Sequence, residues 1–110
     1  MASQYFRLMD PTSLVASTDQ DLRNAIDVGA FNKLEIDCRI LKSGSAGNLI
    51  LEHAAVLEEN AFRALATATW AVNASGGFVS ISDFLRYVRW SADGSVAGAC
   101  VAMIDIIAKE

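Results

Sequence analysis

The sequence is poor in the residues from which most catalytic and metal sites are built. It has a single histidine (His53), a single proline (Pro11) and two cysteines in 110 residues. One histidine cannot supply a multi-histidine metal centre, and it leaves a catalytic triad without its usual partners. The HExxH, GxSxG, GxxxxGKS/T and GxGxxG motifs are missing as well. We therefore expect a protein that is not an enzyme and that holds no metal or cofactor.

Positive charge and long apolar runs are also scarce. Nine lysines and arginines stand against thirteen acidic residues, for a formal net charge of −4, whereas proteins that bind nucleic acid through its phosphates carry an excess of basic residues. No stretch approaches the roughly 18 apolar residues of a membrane span. The first residues, MASQYFRLMDPTS, lack the basic start and apolar run of a signal peptide. We expect no nucleic-acid partner, no membrane partner and no export from the compartment of synthesis.

The two cysteines are too few for a disulfide scaffold and lack the CxxC spacing of zinc or redox sites. Cys38 and Cys100 both lie in short apolar segments, EIDCRI and GACVAM. Free cysteine is among the most buried residue types and packs like a small apolar side chain. The sequence therefore predicts two buried free thiols.

Apolar residues, by contrast, are abundant. They make up 53% of the chain and charged residues 20%, against about 45–50% and about 25% in ordinary domains. The length fits one domain, residues 1–110. A body this small exposes a large fraction of its surface, so surplus apolar side chains are accommodated most easily between subunits. We expect a homo-oligomer.

Alternation of apolar and polar residues is the main signal of secondary structure. In Lys33–Lys42, KLEIDCRILK, every second residue is apolar, which predicts a half-buried strand. The turn SGSAGN and the segment LILEHA after it predict a hairpin. An Asp93-Gly94 turn predicts a second hairpin, between FLRYVRWSA and a final strand, Val96–Ala108. A further strand is predicted in FRALATATWAVN, with one face formed by Phe62, Ala64, Ala66, Ala68, Trp70 and Val72.

These segments together predict an all-β protein. Each strand is apolar on one face and needs a second sheet to cover it, which predicts an antiparallel, jelly-roll-like β-sandwich of about seven or eight strands. The segment LRNAIDVGAF is predicted as a strand with a bulge at Gly29, and one helical turn is the alternative. Residues 54–61 are rich in helix formers, so a short helix is the alternative there.

The segment LRYVRW concentrates arginines and large aromatic residues in an arginine-poor chain. Such residues carry much of the binding energy of protein interfaces, through stacking and bidentate pairing with carboxylates. The sequence therefore predicts a docking strip for the acidic residues of a neighbouring copy. The candidate interface residues are Arg86, Tyr87, Arg89 and Trp90.

Three other groups of side chains have a structural and a functional interpretation. Trp70, Tyr87 and Trp90 are a candidate platform for sugar rings, although such aromatics more often lie in a core or a subunit contact. Glu35 and Asp37 share a strand face and form either a carboxylate pair or part of a solvated face. The single histidine is expected to end its strand with a hydrogen bond to backbone. The carboxylates Asp19, Asp21 and Asp27 miss the calcium-loop spacing.

The segment FLRYVRWSADGSVAGACVAMIDIIAKE resembles the C-terminal hairpin of small virion proteins of tailed phages and phage-derived particles. In those proteins a RYVR strand, a glycine-containing turn and a long apolar strand close a β-sandwich. NKLEIDCRILKSGSAGNLILEHA is similar to their central hairpin, so the resemblance spans residues 25–110.

The resemblance implies a non-enzymatic structural protein that decorates or completes a particle in many copies. Its partners would be itself and other particle proteins, and its location the virion, or the host cytoplasm during assembly. The alternative function is a carbohydrate-binding β-sandwich module that uses the exposed aromatics Trp70, Tyr87 or Trp90.

Overall fold

Two antiparallel β-sheets pack face to face. The computed structural model describes residues 3–14, 17–93 and 100–110. Over these ranges the strands are β1 (Ser3–Leu14), β2 (Thr18–Asp19), β3 (Ile26–Asp27), β4 (Lys33–Lys42), β5 (Asn48–Ala54), β6 (Arg63–Ala71), β7 (Gly76–Ile81), β8 (Tyr87–Ala92) and β9 (Cys100–Lys109). Sheet A has the order β1-β9-β4-β7, and sheet B the order β2-β8-β5-β6 with β3 also paired to β8. The predicted all-β antiparallel sandwich is confirmed.

Most consecutive strands belong to opposite sheets, and this makes both predicted hairpins wrong. Lys33–Lys42 is a strand with the predicted bounds, but its two neighbours are β9 and β7. The following strand, β5, lies in sheet B between β6 and β8. The chain likewise changes sheet between β8 and β9. Gly94 and the predicted start of the last strand, Val96, lie outside the described residues.

The core fills the space between the sheets with the apolar face of each strand. In sheet A, Leu34 pairs with Ala108, Ile36 with Ile106 and Cys38 with Ile104, and all six side chains are buried. Sheet B covers them with a second buried set that includes Leu49, Leu51, Val88 and Ala92. Cys38 and Cys100 are free and buried, as predicted.

β6 departs from the strict alternation that the sequence predicted. Ile50 pairs with Thr69 whereas Glu52 pairs with Ala64, so β6 bulges between these two pairs. A bulge shifts the residues that face inward. Leu65, Ala68, Trp70 and Val72 are buried, while Ala64 and Ala66 are exposed. The predicted face that joined Phe62, Ala64 and Ala66 to Trp70 was therefore wrong.

The two segments with alternative predictions contain short 3-10 turns. Residues 54–61 end in one such turn, Glu59–Ala61, rather than in an α-helix. In LRNAIDVGAF a turn at Leu22–Asn24 precedes the two-residue strand β3, so both interpretations of this segment are confirmed in part. No helix in the described ranges is long and apolar enough to cross a membrane.

Two neighbouring isoleucines on β9 provide a matched test of the core. Ile106 is 0% exposed and Ile107 is 42% exposed. Replacing Ile106 with alanine leaves a cavity between the sheets, and we expect a loss of about 2–5 kcal/mol in the free energy of unfolding. The control Ile107→Ala should cost less than about 1 kcal/mol. Urea unfolding of both variants measures the difference, and equal losses would contradict the assigned faces of β9.

The thiols provide a second test. Burial raises the pKa of Cys38 to about 12, and burial also raises the pKa of Cys100. Because the thiolate is the reactive form, a thiol reagent should label both cysteines slowly in the native protein and rapidly after unfolding. An unfolded thiol loses its proton near its ordinary pKa while native Cys38 keeps it, so stability should also fall as the pH rises above 9. Fast labelling of two native thiols would contradict this burial.

Candidate functional site

The arginine and aromatic strip runs from Arg86 into β8. This strand lies inside sheet B, with β5 on one side and β2 and β3 on the other. Val88 is fully buried and Trp90 packs against the core, whereas Arg89 pairs with Glu52 on the neighbouring strand. The predicted alternation along this strand is thus confirmed: Val88 and Trp90 face the other sheet, and Tyr87 and Arg89 face outward.

Arg89 is 3% exposed although it lies on the outer side of the sheet. Its Nε donates to Oε1 of Glu52 at 2.9 Å, and its Nη1 donates to Oε1 of Glu59 at 2.8 Å. The guanidinium lies 4.4 Å from the centre of the Phe62 ring. Glu59 and Phe62 belong to the segment between β5 and β6, so this segment folds over Arg89 and covers it.

The charge of Arg89 is balanced by several acceptors around it. Asp19 approaches Nη2 at 3.8 Å and the backbone oxygen of Gln20 approaches Nη1 at 3.5 Å. Burial by itself lowers the pKa of Arg89, but the hydrogen bonds that it donates to Glu59 and Glu52 outweigh burial and raise the pKa. The arginine therefore stays charged and ties β8, β5 and the β5–β6 segment together.

Arg86 has a different environment, because its side chain is exposed. Its Nε and Nη2 donate to the Asp27 carboxylate, with the Nη2 to Oδ2 distance at 2.9 Å, and its guanidinium lies 5.1 Å from the centre of the Tyr87 ring. The hydrogen bond from Arg86, and then one from the Gly29 backbone, lowers the pKa of Asp27. Arg86, Tyr87 and Asp27 form a small stacked group at the edge of sheet B.

The acidic partners of both arginines lie in the same chain, which changes the predicted docking strip. For Arg89 the predicted contact with a neighbouring copy was wrong, because its side chain is buried and its N–H groups donate to Glu52 and Glu59 of the same chain. Arg86 is exposed, and Tyr87 and Trp90 are half-buried. A contact of these three residues with a neighbouring copy stays a prediction.

Gln20 was missed by the sequence reasoning, although it joins the two sheets. Its Nε2 donates to the Leu8 carbonyl of β1 at 3.0 Å, and its Oε1 accepts from the Trp90 backbone N–H at 3.1 Å. β1 changes register on either side of Met9, which leaves backbone groups there in need of partners. A single buried glutamine between polar residues carries no periodic signal that could have revealed this role.

The aromatic residues do not form a single platform. Trp70 is 9% exposed and lies in the core beside Gly77 of β7, so its proposed contact with a sugar was wrong. Tyr87 faces outward and Trp90 faces the core. Trp90 does line an open groove of about 450 Å³ between β1 and the start of sheet B, together with Arg7, Asp10, Asp19, Asp21 and Asn24.

The other polar candidates have structural partners. His53 Nδ1 accepts from the Leu85 backbone N–H at 3.1 Å, which confirms the predicted backbone hydrogen bond. Burial and then the charge of Arg63 lower the pKa of His53.

On the outer side of sheet A, Lys109 Nζ lies 2.7 Å from Glu35, and its hydrogen bond lowers the pKa of that carboxyl. Asp37 pairs with Arg39 at 3.2 Å. These contacts fit the solvated strand face that was one of the two interpretations of Glu35 and Asp37. Among the described residues, no group of three histidine, cysteine or acidic side chains has an arrangement that could hold a metal ion.

The two arginines allow a matched stability test. Arg89→Ala leaves Glu52 without its partner and removes the contact with Phe62. Breaking a buried ion pair costs about 3–5 kcal/mol, and we expect the lower end because Glu59 and Asp19 remain in contact with water. Arg86→Ala breaks an exposed pair and should cost about 0–1 kcal/mol. Urea unfolding compares them, and a stable Arg89→Ala variant would contradict the structural role.

Comparison with known proteins gives a likeness of fold. No protein-family model and no curated protein sequence matches the chain. A solved structure titled "Crystal structure of SPBc2 prophage-derived protein YomS" is similar, with a TM-score of 0.55 and 13% identity. The match covers 98% of this chain and 94% of that chain. At this identity the likeness concerns the fold, which the two proteins share over almost their whole lengths.

Proposed function

We propose that the chain is a non-enzymatic structural protein of a phage or phage-derived particle, and that it acts as multiple copies joined by protein contacts. The observation that carries this proposal is the fold shared with a prophage-derived protein over 98% of the chain. Its site of action would be the virion, or the host cytoplasm during assembly.

The strand order supports the same proposal. β1, β9, β4 and β7 form one sheet, and β2 or β3, β8, β5 and β6 form the other. Consecutive strands also alternate between two sheets in a jelly roll, the fold that viral capsid domains share with lectins and cupins. The fold fits both a structural protein and a binding protein, so the two candidates have to be compared on their surface residues.

The outer face of sheet A has the character of a contact surface. Tyr5 pairs with Ile107 across the sheet, and Phe78 of β7 lies on the same face; these side chains are 55%, 42% and 63% exposed. Six charged side chains on this face are paired within the chain, as Arg7 with Asp105, Arg39 with Asp37 and Lys109 with Glu35. A surface of exposed apolar groups and paired charges is suited to protein contacts.

The proposal predicts self-association of the purified protein. Light scattering after gel filtration should give the mass of a defined oligomer over a wide range of concentrations. Because apolar contacts dominate the proposed surface, moderate salt should not dissociate it. Electron microscopy of the same sample would show whether the copies form rings or shells. A single-chain mass at all concentrations would contradict self-assembly.

A carbohydrate-binding module remains the second candidate, and the groove beside Trp90 is the observation that favours it. Aromatic and planar polar side chains that line one groove can stack on a sugar ring and bind its hydroxyls. Trp70→Phe leaves Trp90 as the single tryptophan. A saturable change in its fluorescence on titration with oligosaccharides, in a protein that stays monomeric, would favour this function over assembly.

A further inference from the structure

We propose that two copies of the chain pair through the edge strand β7, so that sheet A continues from one copy into the other. This inference rests on the proposed function and names its contact surface and its partner. β7 is an edge because, among the described residues, it pairs with β4 alone. An edge strand presents backbone donors and acceptors to its surroundings, and a second strand satisfies them.

The hydrogen bonds between β4 and β7 show which backbone groups of β7 point away from β4. The Ile40 N–H donates to the Ser75 carbonyl at 3.1 Å, one step before β7 begins. In an antiparallel pair, residues two apart face the same neighbour, so Gly77, Val79 and Ile81 direct their backbone groups to β4. Phe78 and Ser80 direct theirs to the open side.

The other three edges of the sandwich are interrupted. β1 changes register twice and contains Pro11, and β2 and β3 have two residues each. β6 changes register between its pairs with Ile50 and Glu52. Bulges, proline and short length protect sheet edges against pairing. β7 pairs with β4 in continuous register and contains neither proline nor a charged residue.

Phe78 gives this edge an apolar group to bury. It is 63% exposed, the highest value among the large apolar side chains of the described residues. Antiparallel pairing of two β7 strands about Phe78 would place the two rings side by side, and such aromatic pairs across strands stabilise sheets.

Charge does not oppose the approach of a second copy, although each chain carries a net charge of −4. β7 has no charged side chain, and the adjacent Asp37 and Glu35 are paired with Arg39 and Lys109. The second copy also fits geometrically. A strand turned by 180° about a two-fold axis sets each outward N–H opposite an outward carbonyl of its twin, as a symmetric interface requires.

Proline at Ser80 tests the pairing directly. The Ser80 N–H points away from β4, so Ser80→Pro removes no hydrogen bond within the chain, and proline is tolerated at such edge positions. It does remove a donor to the second copy and block its approach. We expect the number of copies measured by light scattering to fall to half, or to one. The control Ser80→Ala keeps the N–H and should keep the wild-type mass.

A second pair of variants keeps the test decisive if proline disturbs the strand. Phe78→Lys puts two like charges at the proposed axis and should abolish the pairing, while Val56→Lys puts the same charge at an exposed apolar side chain of the segment between β5 and β6, outside sheet A, and should not. A folded Ser80→Pro or Phe78→Lys protein with wild-type mass would overturn the β7 pairing and leave the proposed function standing. A monomeric wild type would overturn both.

Discussion

The structure depends on one constraint: every long strand has an apolar face that must be covered by another sheet. Leu34, Ile36 and Cys38 of β4 can leave water only if the strands of a second sheet lie over them. Here the chain meets the constraint by passing repeatedly from one sheet to the other. Consecutive strands such as β4 and β5 then lie above one another in the sandwich, and each side of the core receives apolar residues from segments distant in sequence.

The space between the two sheets is open along both margins of a sandwich. In this protein the contacts at the two margins differ. Along β1 and sheet B, Gln20 joins the sheets by bonding Leu8 and Trp90. Along β6 and β7, the connection is a tight turn that ends at Gly76, whose φ of 101° lies in the region that favours glycine. A Cβ there would overlap the Cys38 carbonyl oxygen, so β7 can begin so close to β4 only with glycine at this position.

The sequence predicted local structure well because alternation is a local signal. Lys33–Lys42 forms a strand with the predicted bounds, the thiols are buried and His53 bonds to backbone. Strand partners are set by long-range packing, so a turn between two apolar runs could not reveal that β4 and β5 occupy different sheets. The bulge in β6 and the pairing of Arg89 with Glu52 and Glu59 have the same origin, since both depend on strands that meet only in the fold.

Arg89 illustrates why a cluster of arginine and aromatic residues is ambiguous in sequence. Arginine beside an aromatic residue can bind a partner protein, but the same stacking and bidentate geometry also serves to fix a loop of its own chain. In this protein the segment that carries Glu59 and Phe62 provides both the carboxylate and the ring. Because these groups are occupied internally, the assembly proposed above has to use surfaces whose charges are paired and whose apolar groups are exposed. The outer face of sheet A carries paired charges and exposed apolar groups, and its edge strand β7 adds backbone groups that pair with no second strand among the described residues.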